Sequence, residues 1–305
     1  MGVGMAAKGM TRMLILGGTG ETGSWFARYF RDKSFDVAVW GPSGKTGVAA
    51  SIGVRYAADM IKEAEQSDIV LLSVPIEKTV EVIRKVAPRM RPGSLLMDVT
   101  SLKSEPMKAM IRHAHQGVEV IGTHPMFGPT MPTLMGQIII LTPAVGRSET
   151  WLPRIRSLFE SDGARIELLD PEEHDEIMAV VQALTHFAYI GIGATLQSLD
   201  FDVEKSRKFM SPVYEIMIDF VGRILDQNPE LYASIQKNPK AMKVRQTFIG
   251  ECMRLSEKAD SGDLEGFKKI MREAAEHFGQ THDALERSDR LIDRRIKERG
   301  LERHP

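Results

Sequence analysis

The sequence predicts an α/β protein: a doubly wound, mostly parallel sheet over residues 1–170, then an all-helical unit over residues 171–305. Three observations predict it. In the first part, short apolar runs alternate with amphipathic helical stretches, and the runs lack the period-two polarity of half-exposed strands. A glycine-rich turn joins the first run to the first helix. After Pro171 no convincing strand remains, and Met, Leu, Glu, Lys and Arg recur at helical spacing.

The elements follow in order. Met13–Leu16 reads as a strand, Ser24–Lys33 as a helix and Asp36–Trp40 as the next strand. Val48–Gln66 is helix-like, Ser67–Val74 a strand and Lys78–Ala87 a helix. Strands Ser94–Val99, Val118–Ile121, Gln137–Leu141 and Ala164–Leu169 are separated by helices Glu105–His115 and Trp151–Asp162. The second unit reads as helices over 172–198, 203–228, 229–259 (interrupted near Asn238-Pro239) and 263–299. Asp260-Ser-Gly-Asp263 marks a stop followed by an N-cap. Long helices with more apolar face than one domain needs favour a homodimer through this unit.

Composition narrows the function. A chain of 305 residues supports two substantial cores. Net charge is −1 with both signs spread throughout, which argues against nucleic-acid binding and a polybasic membrane anchor. One cysteine, Cys252, excludes an intrachain disulfide and fits a reducing compartment; lying among helix formers, it is expected to be buried packing. Met1–Arg12 lacks a signal-peptide core, and no stretch reads as long enough to span a bilayer. A soluble, cytoplasmic protein is the expectation.

Gly18-Thr19-Gly20-Glu21-Thr22-Gly23 matches the dinucleotide fingerprint, with a strand before it and a helix after. The first glycine is expected to permit the tight turn, the second to let backbone amides approach a pyrophosphate, the third to let helix pack against strand. At the end of the second strand an NAD site usually carries a carboxylate; this chain has Trp40-Gly-Pro-Ser43-Gly-Lys45 instead. Ser43 and Lys45 suit a 2′-phosphate, so NADP is favoured over NAD, with a turn that tolerates either as the alternative. Val74 and Pro75, in Ser73-Val-Pro75, either lie along the cofactor path or form a plain strand-to-loop turn. In Asp98-Val-Thr100-Ser101-Leu-Lys103, Thr100 is placed with the cofactor, Ser101 offers a hydroxyl and Lys103 a charge near the nicotinamide; the same residues also read as a helix N-cap.

The sharpest feature is Gly122-Thr-His124-Pro-Met-Phe-Gly-Pro129, a Gly/Pro-rich loop expected to project His124 from a strand end into a cleft, where a dehydrogenase needs its proton acceptor. His174-Asp175 opens the helical unit, and His186 follows twelve residues after His174, so the two histidines are expected on roughly similar faces. That spacing does not suit a metal pair. Arg223 stands alone in the apolar run Phe220–Leu225, either snorkelling to solvent or held inward for an anion.

Taken in order, the glycine fingerprint, Asp98–Lys103, Thr123–Pro129, His174-Asp175 with Gln182–His186, and Val221–Pro229 resemble the prephenate dehydrogenase family of tyrosine biosynthesis. The likeness runs from about Met13 to Ile292 and includes Ser211–Tyr214 and Pro229–Tyr232. It implies a Rossmann domain, a helical dimerisation domain and an active site between them. It also implies oxidative decarboxylation of prephenate to 4-hydroxyphenylpyruvate. By position, His124 would bond the ring hydroxyl, and Ser101 would orient His124 and the substrate. Arg223 would bind a substrate carboxylate, His186 would line the pocket, and His174 and Asp175 would shape its rim. Nothing before Met13 has the length of the chorismate mutase fused to some members, so the dehydrogenase alone is expected. Thr130 stands where some relatives are acidic, and Glu215 and Asp219 where some are basic, which makes the expected pocket less positive. Arogenate dehydrogenase is the nearest rival, because Glu215 or Asp219 would attract that substrate's ammonium. An oxidoreductase acting on a β-hydroxy acid and a non-catalytic NADP-binding sensor are the others.

Overall fold

A computed structural model describes residues 10–302; the leading Met1–Gly9 stretch, read above as lacking a signal-peptide core, lies outside them. The chain divides into two compact units, residues 1–178 and 179–305.

The first unit alternates strand and helix: β1 Arg12–Leu16, α1 Glu21–Asp32, β2 Asp36–Trp40, α2 Thr46–Ser51, β3 Arg55–Tyr56, α3 Met60–Gln66, β4 Ile69–Leu72 and α4 Ile76–Val86. It continues with β5 Leu95–Asp98, α5 Ser104–His113, β6 Glu119–Pro125, β7 Ile138–Pro143, α6 Trp151–Ser161, β8 Arg165–Leu168 and α7 Pro171–Met178. The strands form one sheet in the order β3-β2-β1-β4-β5-β6-β7-β8. Every neighbouring pair is parallel except β6–β7, the one antiparallel hairpin.

Burial explains why the apolar runs do not alternate. In β1 the side chains of Met13 and Ile15 enter one core with Trp25, Phe26, Phe30 and Phe159, from α1 and α6. Leu14 and Leu16 enter the opposite core with Ile83, Val86, Met107 and Met110, from α4 and α5. Successive residues point to opposite faces, and because helices cover both, all must be apolar. The stretch read as one helix over Val48–Gln66 is instead α2, β3 and α3. Gly53, at a φ of +69°, stops α2, and Asp59 caps α3 by accepting from the Ile61 and Lys62 amides.

The second unit is helical. The run begun by α7 passes through a π-helical segment, Ala179–Leu184, into α8, Thr185–Ser198. Then come α9 Val203–Ser206, α10 Pro212–Leu225, α11 Pro229–Ile235, α12 Ala241–Asp260, α13 Leu264–Phe278 and α14 Thr281–Glu302. Two helices expected as single are divided. Ser211 N-caps α10 ahead of Pro212, and Gly279, at a φ of +79°, separates α13 from α14. The expected stop at Asp260–Asp263 is present, with Asp263 capping α13 through the Gly266 amide.

Three expectations are corrected in this unit. The π-helical segment widens the turn between His174 and His186, so the uniform helical phase that put them on similar faces does not hold. Cys252 is exposed rather than buried, because in α12 Ala241 is the buried residue. The run Pro171–Ser198 does have bilayer length, and an 18-residue stretch within it reaches a mean hydropathy of 1.6, contrary to the reading that no stretch is long enough. Its apolar side chains are spread around the helix and largely exposed in the single chain, as Val180 and Val181 show at 50% and 53%.

Candidate active site

The site of the first unit is built at the carboxyl ends of β5 and β6. Parallel pairing of the two strands ends at Asp98↔Gly122, but β6 continues to Pro125 because β7 carries it, with His124 opposite Ile140. His124 therefore belongs to the strand and is 3% exposed, not displayed on a loop as expected. The loop therefore begins at Met126, four residues later than the sequence suggested.

Below His124 lies a buried chain of polar groups. His124 Nδ1 is 2.9 Å from His174 Nε2, and His174 Nδ1 is 2.9 Å from Asp175 Oδ1. Asp175 also accepts the backbone amides of Lys103 at 2.8 Å and Ser104 at 3.0 Å, so it satisfies open donors at the N-terminus of α5. His174 and Asp175 thus sit inside the unit, at 0% and 4% exposure, rather than at a pocket rim. The neighbour that the fold gives His124 Nδ1 is His174; Ser101, half-buried in the bend after β5, does not take that position.

Charge around the chain is tightly held. Lys103 is fully buried and pairs with Asp98, itself fully buried, so its charge is spent inside the fold and is not offered to a nicotinamide. The Thr100 hydroxyl donates to Asp98, and its amide does the same at 3.0 Å. Burial drives the His124 pKa well below the ordinary histidine value, and the nearby His174 and Lys103 add to it, against the pull of Asp175. His174 is lowered for the same leading reason, burial. Burial pushes Asp175 up, but its bonds from His174, Lys103 and Ser104 prevail and hold it below the usual carboxylate value. At neutral pH the set is two neutral imidazoles above one carboxylate.

The nucleotide fingerprint lies at the β1–α1 turn. The positive φ that the turn needs, +81°, falls on Gly17, one residue before the glycine expected to supply it. A Cβ on Gly18 would strike Val39 and Ile15, and one on Gly23 would strike the Gly17 carbonyl, so both are needed for close packing. Gly20 is the N-cap of α1 and has no side chain to occupy the first-turn amides, leaving the donor set that a pyrophosphate takes. Thr19 and Thr22 are half-buried on this turn, Glu21 is exposed, and Val74 packs beside Gly17 with Pro75 starting α4. Ser43 and Lys45 are exposed on the turn after β2. These residues fit a dinucleotide's phosphates and adenosine end.

In the second unit His186 packs against the Tyr232 ring at 4.4 Å, and its Nδ1 is a buried atom without a hydrogen-bond partner among the described residues. Burial pushes its pKa down to about 4. Arg223 is exposed on α10 and makes no ion pair among the described residues; its charge acts on Tyr232. Glu215 and Asp219 are already engaged: Arg295 reaches them at 3.6 and 2.9 Å, and Arg207 lies 3.7 Å from Asp219. The extra acidity inferred for the pocket is therefore neutralised inside the unit.

Sequence reasoning missed three parts of this arrangement: Gly17, the Asp98–Lys103 pair and the bond from His174 to His124. The first carried a signal, a glycine directly after an apolar run. The others join residues 5 and 50 positions apart, and nothing in their spacing announces contact.

Together these features define a nucleotide-binding α/β unit followed by a helical unit. The chain belongs to the prephenate dehydrogenase family: residues 26–168 match the model described as "Prephenate dehydrogenase, nucleotide-binding domain" and residues 170–273 that described as "Prephenate dehydrogenase, dimerization domain". A "Probable arogenate/prephenate dehydrogenase" of Methanocaldococcus jannaschii is 49% identical over 269 residues, 87% of this chain and 60% of that protein. The chain thus spans 60% of that relative's length. The "4-amino-4-deoxyprephenate dehydrogenase" of Streptomyces pristinaespiralis is 31% identical over 285 residues, 90% of this chain and 94% of that one. Among solved structures, the prephenate dehydrogenase of A. aeolicus with hydroxyphenyl propionate and NAD+ shares the fold at a TM-score of 0.70. It is 22% identical and covers 88% of this chain and 97% of its own.

Proposed function

We propose that this chain is a prephenate dehydrogenase, oxidatively decarboxylating prephenate to 4-hydroxyphenylpyruvate in tyrosine biosynthesis. The observation that carries the reading is His124, a neutral imidazole at the carboxyl end of β6, fixed from behind by His174 and Asp175. Prephenate has a ring alcohol, a quaternary ring carboxylate and a pyruvyl side chain, and aromatises when it loses hydride and carbon dioxide. His124 accepts the hydroxyl proton as that happens, a contribution of roughly 10²–10⁴-fold. Ser101 serves the hydroxyl end of the substrate rather than the imidazole. Arg223 supplies a forked, permanent charge for a carboxylate, and the buried, unpaired Nδ1 of His186 is a polar atom for the substrate to satisfy. His174 and Asp175 support His124 from within.

Gly18, Gly20 and Gly23, with Thr19, Glu21 and Thr22 around them, hold the dinucleotide, flanked by Val74, Pro75 and Thr100. When bound, the nicotinamide supplies the hydride acceptor. We assign NADP over NAD because the turn after β2 has no carboxylate and offers Ser43 and Lys45. The helical unit beginning at Ala179 forms the substrate-binding and dimerisation domain. The match to a dimerization-domain model and the exposed Val181, Phe209, Phe220 and Met253 favour a homodimer. Arogenate is disfavoured as substrate, since Glu215 and Asp219 are committed to Arg295.

The test is reduced-cofactor absorbance with prephenate and arogenate, each with NADP and NAD. Faster turnover with prephenate and NADP is expected, and Lys45→Ala should erode the NADP preference up to about tenfold. Turnover with arogenate alone would reverse the substrate assignment, and tighter binding of NAD than NADP would reverse the cofactor assignment.

A further inference from the structure

The buried chain Asp175–His174–His124 has a direction, and the direction can be worked out from hydrogen-bond chemistry. Ionised Asp175 accepts only, so His174 Nδ1 must carry the hydrogen across the 2.9 Å contact. A neutral His174 then has a lone pair on Nε2, which can only accept. The hydrogen in the 2.9 Å contact between the rings therefore belongs to His124 Nδ1. A neutral ring with hydrogen on Nδ1 has its lone pair on Nε2. Had His174 been protonated, it would donate to His124 Nδ1 and force the hydrogen onto His124 Nε2, abolishing the base.

We propose that His174, oriented by Asp175, is a positioning residue that fixes His124 in the tautomer whose Nε2 accepts the substrate's hydroxyl proton; this rests on the reading of His124 as the proton acceptor. In the step, the substrate O–H bond breaks and an Nε2–H bond forms. The resulting imidazolium keeps donating through Nδ1 to His174, whose far N–H points at the Asp175 carboxylate. The charge is answered without moving a second proton. The charged groups near the chain do not interrupt it: Lys103 is paired with Asp98, and the Lys103 contact to Asp175 is through its backbone amide. Asp175 also caps α5, which makes it a poor site to probe. His174 is the clean one.

The test compares His174→Gln with His174→Phe in the full-length protein. Gln keeps an oxygen that can accept from His124 Nδ1; Phe fills the space but accepts nothing. The proposal expects Phe to lower kcat roughly 10²-fold or more, with KM for substrate and cofactor within about threefold, and Gln to retain kcat within about tenfold. A packing role predicts the reverse order, and Phe equal to or better than Gln overturns the proposal. Nitrogen-15 NMR of the histidine rings at pH 7 gives a readout free of turnover. Hydrogen on Nδ1 of His124 in the wild-type protein supports the direction, and hydrogen on Nε2 overturns it even if the variants fold poorly. Because the ring spectrum needs no substrate, failure of prephenate turnover and failure of the tautomer assignment are separately visible.

Discussion

The two units hold their histidines in opposite ways. In the first, His124 and His174 are backed by a carboxylate, and the order of donors and acceptors is closed within the fold. In the second, His186 is pressed against Tyr232 with Nδ1 unsatisfied, and Arg223 stands exposed. A group that must change protonation on cue benefits from being preset, because reorganisation would add to the barrier. A group that meets a ligand's charge or hydroxyl must instead keep capacity for it. The contrast fits the roles proposed for these residues: proton acceptance for His124, ligand binding for His186 and Arg223.

The strongest test of that contrast is His124→Asn. It should lower kcat by roughly 10²–10⁴-fold while leaving cofactor binding near wild type, measured by steady-state kinetics and cofactor fluorescence titration. Near-normal turnover would remove His124 from its role. Next is Asp98→Asn, which strands Lys103 as a buried charge. Chemical denaturation should record a loss of about 3–5 kcal/mol, and a change under 1 kcal/mol would mean the pair is not closed to water.

Arg223→Gln addresses the open side: KM for prephenate should rise about tenfold or more with a smaller change in kcat. An unchanged KM would make Arg223 structural. The smallest effect is on pH. His124, His174 and His186 all have folded pKa values below the ordinary 6.5, so the unfolded chain binds more protons just below that pH. Stability should therefore hold above about pH 6.5 and fall as pH drops towards 4, the value to which His186 is lowered. The acid limb of kcat/KM should also lie below 6.5; a limb at or above it would contradict a desolvated His124.

Much of the first unit was legible because its physics is local. Runs such as Ile69–Leu72 must be apolar at every position when both faces are covered, and that pattern survives in one dimension. The glycine turn was legible to within a residue, because strand, turn and helix follow one another directly. The helix breaks at Ser211-Pro212 and Gly279 were missed despite ordinary capping chemistry, since helical composition continues on both sides.

What the sequence determined by itself is the class: a nucleotide-binding α/β unit followed by a helical unit, with His124, His186 and Arg223 as candidate site residues. Only the tertiary structure decided that His124 lies inside a strand, that His174 and Asp175 stand behind it, and that Glu215 and Asp219 answer to Arg295. The reason is sequence distance. Periodicity and turn chemistry act over a few residues, whereas the partner of a buried proton is chosen by whichever side chain the packing brings within 3 Å.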